Sequence, residues 1–298
     1  MQRRTFLQSA GISLGLFTLF PGRSLADIIR QPAYKFSLLR NSVGIFTESG
    51  GTIAWMSNKS GIVVVDSQFP DPAAHLIAEL KKNSEKPVQY LINTHHHGDH
   101  TGGNIVFKGL AGNVIAHTNC LINHRATAAA QKSESKQLFA DTVFQDKWKT
   151  KVGSERIQAN YFGAGHTNGD IIVHFQNANI AHMGDLMFNK RYPFIDRSAG
   201  ANIKSWIEVL EKAIAKYDSD TLFIFGHAAD PEKVTGKKEE LKAMQNFLEK
   251  LLLFVRNEMK AGKSKEDILK AASIPGAGDF QGQGIQRGLT AAYEELTA

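Results

Sequence analysis

The stretch Thr94-His95-His96-His97-Gly98-Asp99-His100-Thr101-Gly102-Gly103 directly follows the apolar run Val88 to Ile92. It sets four potential metal ligands, His95, His97, Asp99 and His100, within six residues. A solvated polar loop has no use for that spacing, whereas a hydrolytic metal centre does. Val88 to Ile92 reads as a strand, and its continuation predicts that His95 and His97 share a face, because side chains two apart on a strand point the same way. Asp99 and His100 come beyond Gly98 and are expected to aim at a second metal beside the first, with Gly102 and Gly103 allowing a tight return of the backbone. One motif therefore seeds two sites.

A zinc ion takes at least three protein ligands, so more donors are expected downstream. Gly163-Ala164-Gly165-His166-Thr167 follows a strand-like run from Ile157 to Phe162, and its glycines suit a loop that folds an imidazole back toward a metal. Ile180-Ala181-His182-Met183-Gly184-Asp185 places a carboxylate after an apolar strand, and Thr221 to Phe225 ends at Gly226-His227. Three strand ends thus each present a ligand candidate next to glycine.

With Asp66 after the strand Ile62 to Val65, this ordered set resembles the metallo-β-lactamase superfamily of metallohydrolases over most of the mature chain. The resemblance implies an α/β fold, a four-layer αββα sandwich whose ligand loops meet along one edge. It implies that His95, His97 and His166 hold one metal, that Asp99, His100 and His227 hold a second, and that Asp185 bridges both. Asp66 would orient the ligand loop. The cofactor expected is zinc, two ions per chain, with iron also compatible with His and Asp donors. The activity implied is hydrolysis of an ester, thioester, lactone or lactam by metal-activated water, with Asp99 as the catalytic residue that orients the water and takes its proton.

Departures from the best-known lactamases refine this reading. Their zinc-binding cysteine has no counterpart, because the only cysteine, Cys120, falls in a helix-like segment, and Asp185 stands where that ligand is expected. The arrangement is similar to glyoxalase II, lactonases and related binuclear hydrolases. The interval from His166 to His227 is too short for an additional globular domain, which argues against the nucleic-acid-processing branch. Two other classes fit the same residues: a mononuclear iron persulfide dioxygenase-like oxidoreductase, and a non-catalytic metal or ligand carrier.

Gln2-Arg3-Arg4-Thr5-Phe6-Leu7, the apolar stretch Gly11 to Phe20 and Ser24-Leu25-Ala26 resemble a twin-arginine signal peptide cleaved after Ala26. Its apolar core falls short of the roughly 20 residues that span a bilayer. A periplasmic location and no stable membrane anchor after cleavage are expected. Residues 1–26 contain Arg3, Arg4 and Arg23 and no acid, so cleavage removes three of the six net positive charges, leaving too weak a balance for nucleic acid. The partner expected is a small-molecule substrate, and no coiled-coil pattern sets an oligomeric state. A single cysteine cannot form an internal disulfide, so stability must come from packing and metal.

The expected organisation is a leader, 1–26, and one catalytic domain, 27–298, whose part from 231 to 298 is helical. Val43 to Thr47, Thr52 to Met56 and Gly61 to Val65 read as strands, the last two joined by Ser57-Asn58-Lys59-Ser60, with helices expected from Asp71 to Lys82 and from His117 to Ala130. In residues 231 to 272, Leu241, Met244, Leu248, Leu251, Leu252 and Val255 recur at helical spacing, which predicts a core-covering helix. Ser264 to Asp267 resembles a capping box, and Gly276 to Gly284 reads as a loop. His96 is expected to be a structural or exposed histidine, and His174 and His182 to be sheet residues. Met187 to Ile195, with Lys190 or Arg191 as a carboxylate clamp, reads equally as a pocket wall or a surface loop, and the helix-prone insert from Gln131 to Trp148 equally as a wall, a lid or a solubilising surface.

Overall fold

The computed structural model describes residues 34–298, so the leader expectation lies outside the described residues. The chain begins with β1 (Lys35–Arg40), β2 (Val43–Thr47), β3 (Ile53–Asn58) and β4 (Gly61–Val65), an antiparallel meander. Next come α1 (Pro70–Asn83), β5 (Val88–Ile92), the single turn α2 (Gly98–Thr101), β6 (Ala111–His117), α3 (Thr118–Ala130) and β7 (Thr142–Phe144). These strands join in chain order into one seven-stranded sheet, parallel from β4 onward. All five residues of β4 are buried, as a strand covered on both faces requires.

The second half supplies β8 (Lys147–Val152), β9 (Glu155–Tyr161), β10 (Ile171–Phe175), β11 (Ile180–His182), the short β12 (Phe188–Asn189), α4 (Ile203–Lys216), β13 (Leu222–Ile224), β14 (His227–Ala228) and β15 (Thr235–Gly236). A six-stranded sheet runs β15-β13-β11-β10-β9-β8, while β12 and β14 pair separately. The chain ends with α5 (Lys238–Lys260), α6 (Lys265–Ile268) and α7 (Ile285–Thr297).

Period-two alternation sorts the apolar residues into layers. Val63 and Val65 of β4 join Ile171 and Val173 of β10 between the sheets. Their neighbours Ile62 and Val64 face outward onto Leu76, Ile77 and Leu80 of α1, a stripe at helical spacing. Ile172 of β10 faces the opposite outer layer with Trp206 and Leu210 of α4, Leu248 of α5 and Leu289 of α7. The result is the expected αββα sandwich, with helices capping both outer faces.

Differences from the sequence expectations are local. The segment from Gln131 to Trp148 is not helical beyond a short turn at Glu134–Lys136; it contributes edge strand β7 and the start of β8. The C-terminal helix starts at Lys238 rather than 231, because Thr235 and Gly236 pair with β13. Ser264 does cap α6, accepting from Asp267 N at 3.1 Å. Among the described residues no helix is long and apolar enough to cross a membrane.

Trp206 is fully buried between α4 and the second sheet, and its Nε1 donates to Leu186 O at 3.1 Å, next to Asp185. Trp206→Ala is expected to cost about 3–5 kcal/mol of unfolding free energy through the cavity it leaves, measured by urea denaturation.

Candidate metal centre

His95 and His97 do not lie on an extension of β5, which ends at Ile92. On a strand, residues two apart are separated by about 6.6 Å, so their side chains run side by side without meeting. The loop after β5 instead turns so that His95 Nε2 comes within 3.1 Å of His97 Nδ1. His166, in the loop between β9 and β10, brings its Nε2 to 2.8 Å from the same His97 nitrogen. Asp185, in the turn after β11, completes the cluster, with its Oδ2 3.5 Å from His166 Nε2 and 3.9 Å from His95 Nε2. These four donor atoms lie within 4.8 Å of one another. Around a tetrahedral zinc with bonds of about 2.0–2.1 Å, donors stand about 3.4 Å apart.

Asp99, His100 and His227 form a second group within the same limit. Asp99 Oδ2 is 3.1 Å from His227 Nε2 and 3.8 Å from His100 Nε2. Asp185 reaches here too, with Oδ1 3.0 Å from His100 Nε2 and Oδ2 3.4 Å from His227 Nε2. All seven predicted donors therefore converge, and one carboxylate spans both groups.

The hydrogen bonds behind the rings decide what they present in front. His97 Nε2 donates to Asp196 Oδ2 at 2.8 Å, and His166 Nδ1 donates to the carbonyl of Phe194 at 2.7 Å. Thr94 Oγ1 gives its proton to Asp66 Oδ2 at 2.7 Å, so it accepts from His95 Nδ1 at 3.1 Å. As neutral rings, all three imidazoles turn bare lone pairs toward one point, a repulsive arrangement that a cation relieves. His100 Nδ1 is likewise bonded to Asp66 Oδ2 at 2.8 Å, while the buried His100 Nε2 and Asp185 Oδ1 face each other at 3.0 Å with no further partner. Both donor sets fit divalent metal ions.

Asp66, fully buried at a φ of 66°, also accepts from Thr94 N at 2.7 Å and so ties β4 to both groups. Two glycines leave room for the rings and carboxylates. A Cβ on Gly51 would stand 2.1 Å from His100 Cε1, and one on Gly226 2.0 Å from Asp185 Oδ1. Asp170 folds the His166 loop, accepting from Thr167 N at 2.8 Å and Thr167 Oγ1 at 2.7 Å, and burial pushes its carboxyl up to about 7.

Asp196 and Asp170 escape sequence reasoning. Asp196 has no ligand-like spacing, being 99 residues from the histidine it holds. His96 is buried, not exposed, with burial pushing it down to about 3, and it lies close to His97 and Asp196. His182 is a buried sheet residue that donates through Nε2 to Thr52 O at 2.8 Å and accepts at Nδ1 from Gly184 N at 3.1 Å; His174 is half-buried in β10. Cys120 is buried in α3.

Two aromatic residues of Met187 to Ile195 stand beside the donors. The Phe194 ring lies 5.5 Å from that of His97 and 5.9 Å from that of His166, and Phe188 stacks on His227 at 5.3 Å. Lys190 instead lies 3.7 Å from Asp279, and the backbone at Arg191 pairs with that of Gln281 in the C-terminal segment. The cation over the aromatic wall is Arg287 of α7, 5.9 Å from the Phe194 ring.

Residues 47–227 match the family model of the metallo-beta-lactamase superfamily. The chain belongs to the metallo-β-lactamase superfamily. Superfamily relatives include metallo-beta-lactamase IND-1 of Chryseobacterium indologenes, 25% identical over 71% of this chain and 87% of that protein. In fold the chain is similar to a metallo-beta-lactamase from Pontibacter korlensis, at a TM-score of 0.62 and 21% identity over 72% of this chain and 99% of the other. It is also similar to a double mutant of the sec-alkyl sulfatase PisA1, at a TM-score of 0.66 and 15% identity over 88% of this chain and 50% of that one.

The two groups differ in protonation. Burial, reinforced by His100, holds His95 well below the usual imidazole range, and burial brings His166 to about 4. At His100 burial is outweighed by Asp185, Asp99 and Asp66, which raise it well above that range; at His227 it is outweighed by Asp185 and Asp99, which raise it to about 9. In the metal-free chain, protons on His100 and His227 do the work of a cation. Metal must displace them, so affinity at the Asp99 group is expected to rise with pH up to about 9, where His227 loses its proton, with up to two protons released per chain at pH 7. His95 and His166, already deprotonated there, should release none. Calorimetric titration with zinc in buffers of different ionisation enthalpy measures the difference.

Proposed function

We propose that this superfamily member is a binuclear zinc hydrolase that cleaves a carbonyl-centred bond in a small molecule, a β-lactam, lactone, ester or thioester. The observation that carries this reading is the sharing of Asp185 between two complete donor groups. Zinc ions held by His95, His97, His166 and Asp185 and by Asp99, His100 and His227 would supply an acidified water near neutral pH and Lewis-acid polarisation of the carbonyl to be attacked.

The chain's own residues supply the rest. Asp99 is the most exposed of the seven donors, with 31% of its side chain accessible. Burial would raise its carboxyl, but His100 and His227 lower it to about 2, so it remains an ionised acceptor. It can hold an incoming water by one O–H and take the proton that the water loses on attack. Asp66 and Asp196 fix which nitrogen each ring offers, and Phe188 and Phe194 shape an apolar wall beside the donors. The fit of His and Asp donors, with no cysteine among them, supports hydrolysis without assigning the substrate.

The leader-like Arg3-Arg4 segment supports export to the periplasm by the twin-arginine route, with cleavage after Ala26 and one catalytic domain from 27 to 298. A periplasmic address favours β-lactams and lactones over a cytosolic thioester.

Elemental analysis of the purified mature protein, paired with turnover of a chromogenic cephalosporin and of a simple lactone, tests the proposal. About two zincs per chain and cleavage of either compound that chelation abolishes are expected. One iron per chain with oxygen-dependent turnover, or full zinc loading without cleavage of esters, thioesters, lactones and lactams, would overturn it. Asp99→Asn should lower turnover by about 10²–10⁴-fold while leaving the thermal melting point within a few degrees, read by steady-state kinetics and calorimetry.

A further inference from the structure

α7 turns Ile285, Gly288, Leu289, Ala291 and Ala292 to the core, and the same buried stripe contains Glu295. A carboxylate there is tolerated only if its oxygens are bonded. Glu295 spends all its bonds on one short segment. Its Oε2 accepts from Ile203 N at 2.7 Å, its Oε1 from Lys204 N at 2.9 Å, and Arg197 Nη1 donates to Oε2 at 3.3 Å. Ile203 and Lys204 open α4, where unpaired N–H groups and the helix dipole favour an anion. Arg197 Nη1 also donates to Ala201 O at 2.6 Å. The last helix of the chain thus closes residues 196–204 into one bonded unit.

That unit reaches two nitrogen donors of the first group. Asp196 Oδ2 accepts from His97 Nε2 at 2.8 Å. Asp196 N bonds to His166 O at 3.2 Å, and Asn202 N to Gly165 O at 3.1 Å. Displacing the segment would move the acceptor behind His97 and the backbone beneath His166 together.

We propose that Glu295 is a positioning residue of the metal centre, acting from α7 through Arg197 and the start of α4 on Asp196 and His97. The inference rests on the reading of His97 and His166 as ligands. Glu295 lies outside residues 47–227, so the C-terminal extension serves the site as well as covering the core.

The test compares the full chain with Glu295→Ala, Glu295→Gln and, as a stability control, Leu289→Ala, a fully buried α7 residue outside these bonds. Zinc affinity by chelator competition, the visible spectrum of the cobalt-loaded protein and the melting point are read for each. Glu295→Ala should weaken zinc binding and alter the cobalt bands, up to the about 10–100-fold expected when a partner bonded to a ligand, here Asp196, is lost outright. Glu295→Gln keeps one oxygen for the α4 amides and should fall between; it decides the matter if the alanine variant does not fold. Leu289→Ala should lower the melting point with affinity and spectrum unchanged.

Wild-type affinity and spectrum in both Glu295 variants would overturn the proposal, as would an equal loss in Leu289→Ala at the same drop in melting point. His166→Ala separates the two layers of argument. If it binds zinc as tightly as the unaltered chain, the ligand reading itself fails and the role of Glu295 falls with it.

Discussion

The rest of the structure answers to one constraint: a buried carboxylate, Asp185, stands within 4 Å of four imidazoles, those of His95, His100, His166 and His227. Charges and lone pairs so crowded and so far from water interact strongly, and a net imbalance of either sign is costly. Protons on His100 and His227 balance it in part, and divalent cations balance it better because the donor atoms already stand near coordination spacing. Asp66 and Asp196 carry the constraint outward. Each takes the hydrogen of a ring's far nitrogen and so fixes which nitrogen faces inward.

Meeting this constraint takes donors from distant parts of the chain on loops that hold still. The two sheets pack through Val63, Val65, Ile171 and Val173 into a rigid centre, and the loops after β4, β5, β9, β11 and β13 bring the donors and Asp66 to it. Loops and turns carry six of the donors, and His227 opens the two-residue strand β14, because strand geometry keeps same-face side chains too far apart to share a metal. The backbone passes close beneath the site at Gly51 and Gly226, where a side chain would collide with His100 or Asp185.

Much of this was legible in residue order. Apolar runs ending at glycine or histidine marked the strands, and His95, His97, Asp99, His100, His166, Asp185 and His227 stood out because each follows such a run or clusters with others that do. The readings that failed did so for physical reasons. Extending β5 through His97 treated a period-two pattern as a strand, when the chain bends at Thr94 and His95 and enters a helical turn at Gly98. The helix expected within Gln131 to Trp148 ignored the pairing available at the sheet edge, which claims Thr142–Phe144. Asp196 and Glu295 gave no signal, since an acid in a loop and an acid in a charged helix look ordinary until their partners are known.

The sequence by itself determined the layer pattern and the chemistry of the donors, because burial periodicity and side-chain type are written residue by residue. Only the tertiary structure decided which nitrogen of each ring faces inward, and that the final helix reaches the site through Glu295. Those properties depend on distances between residues far apart in the chain, and such distances are set by packing rather than by any local preference.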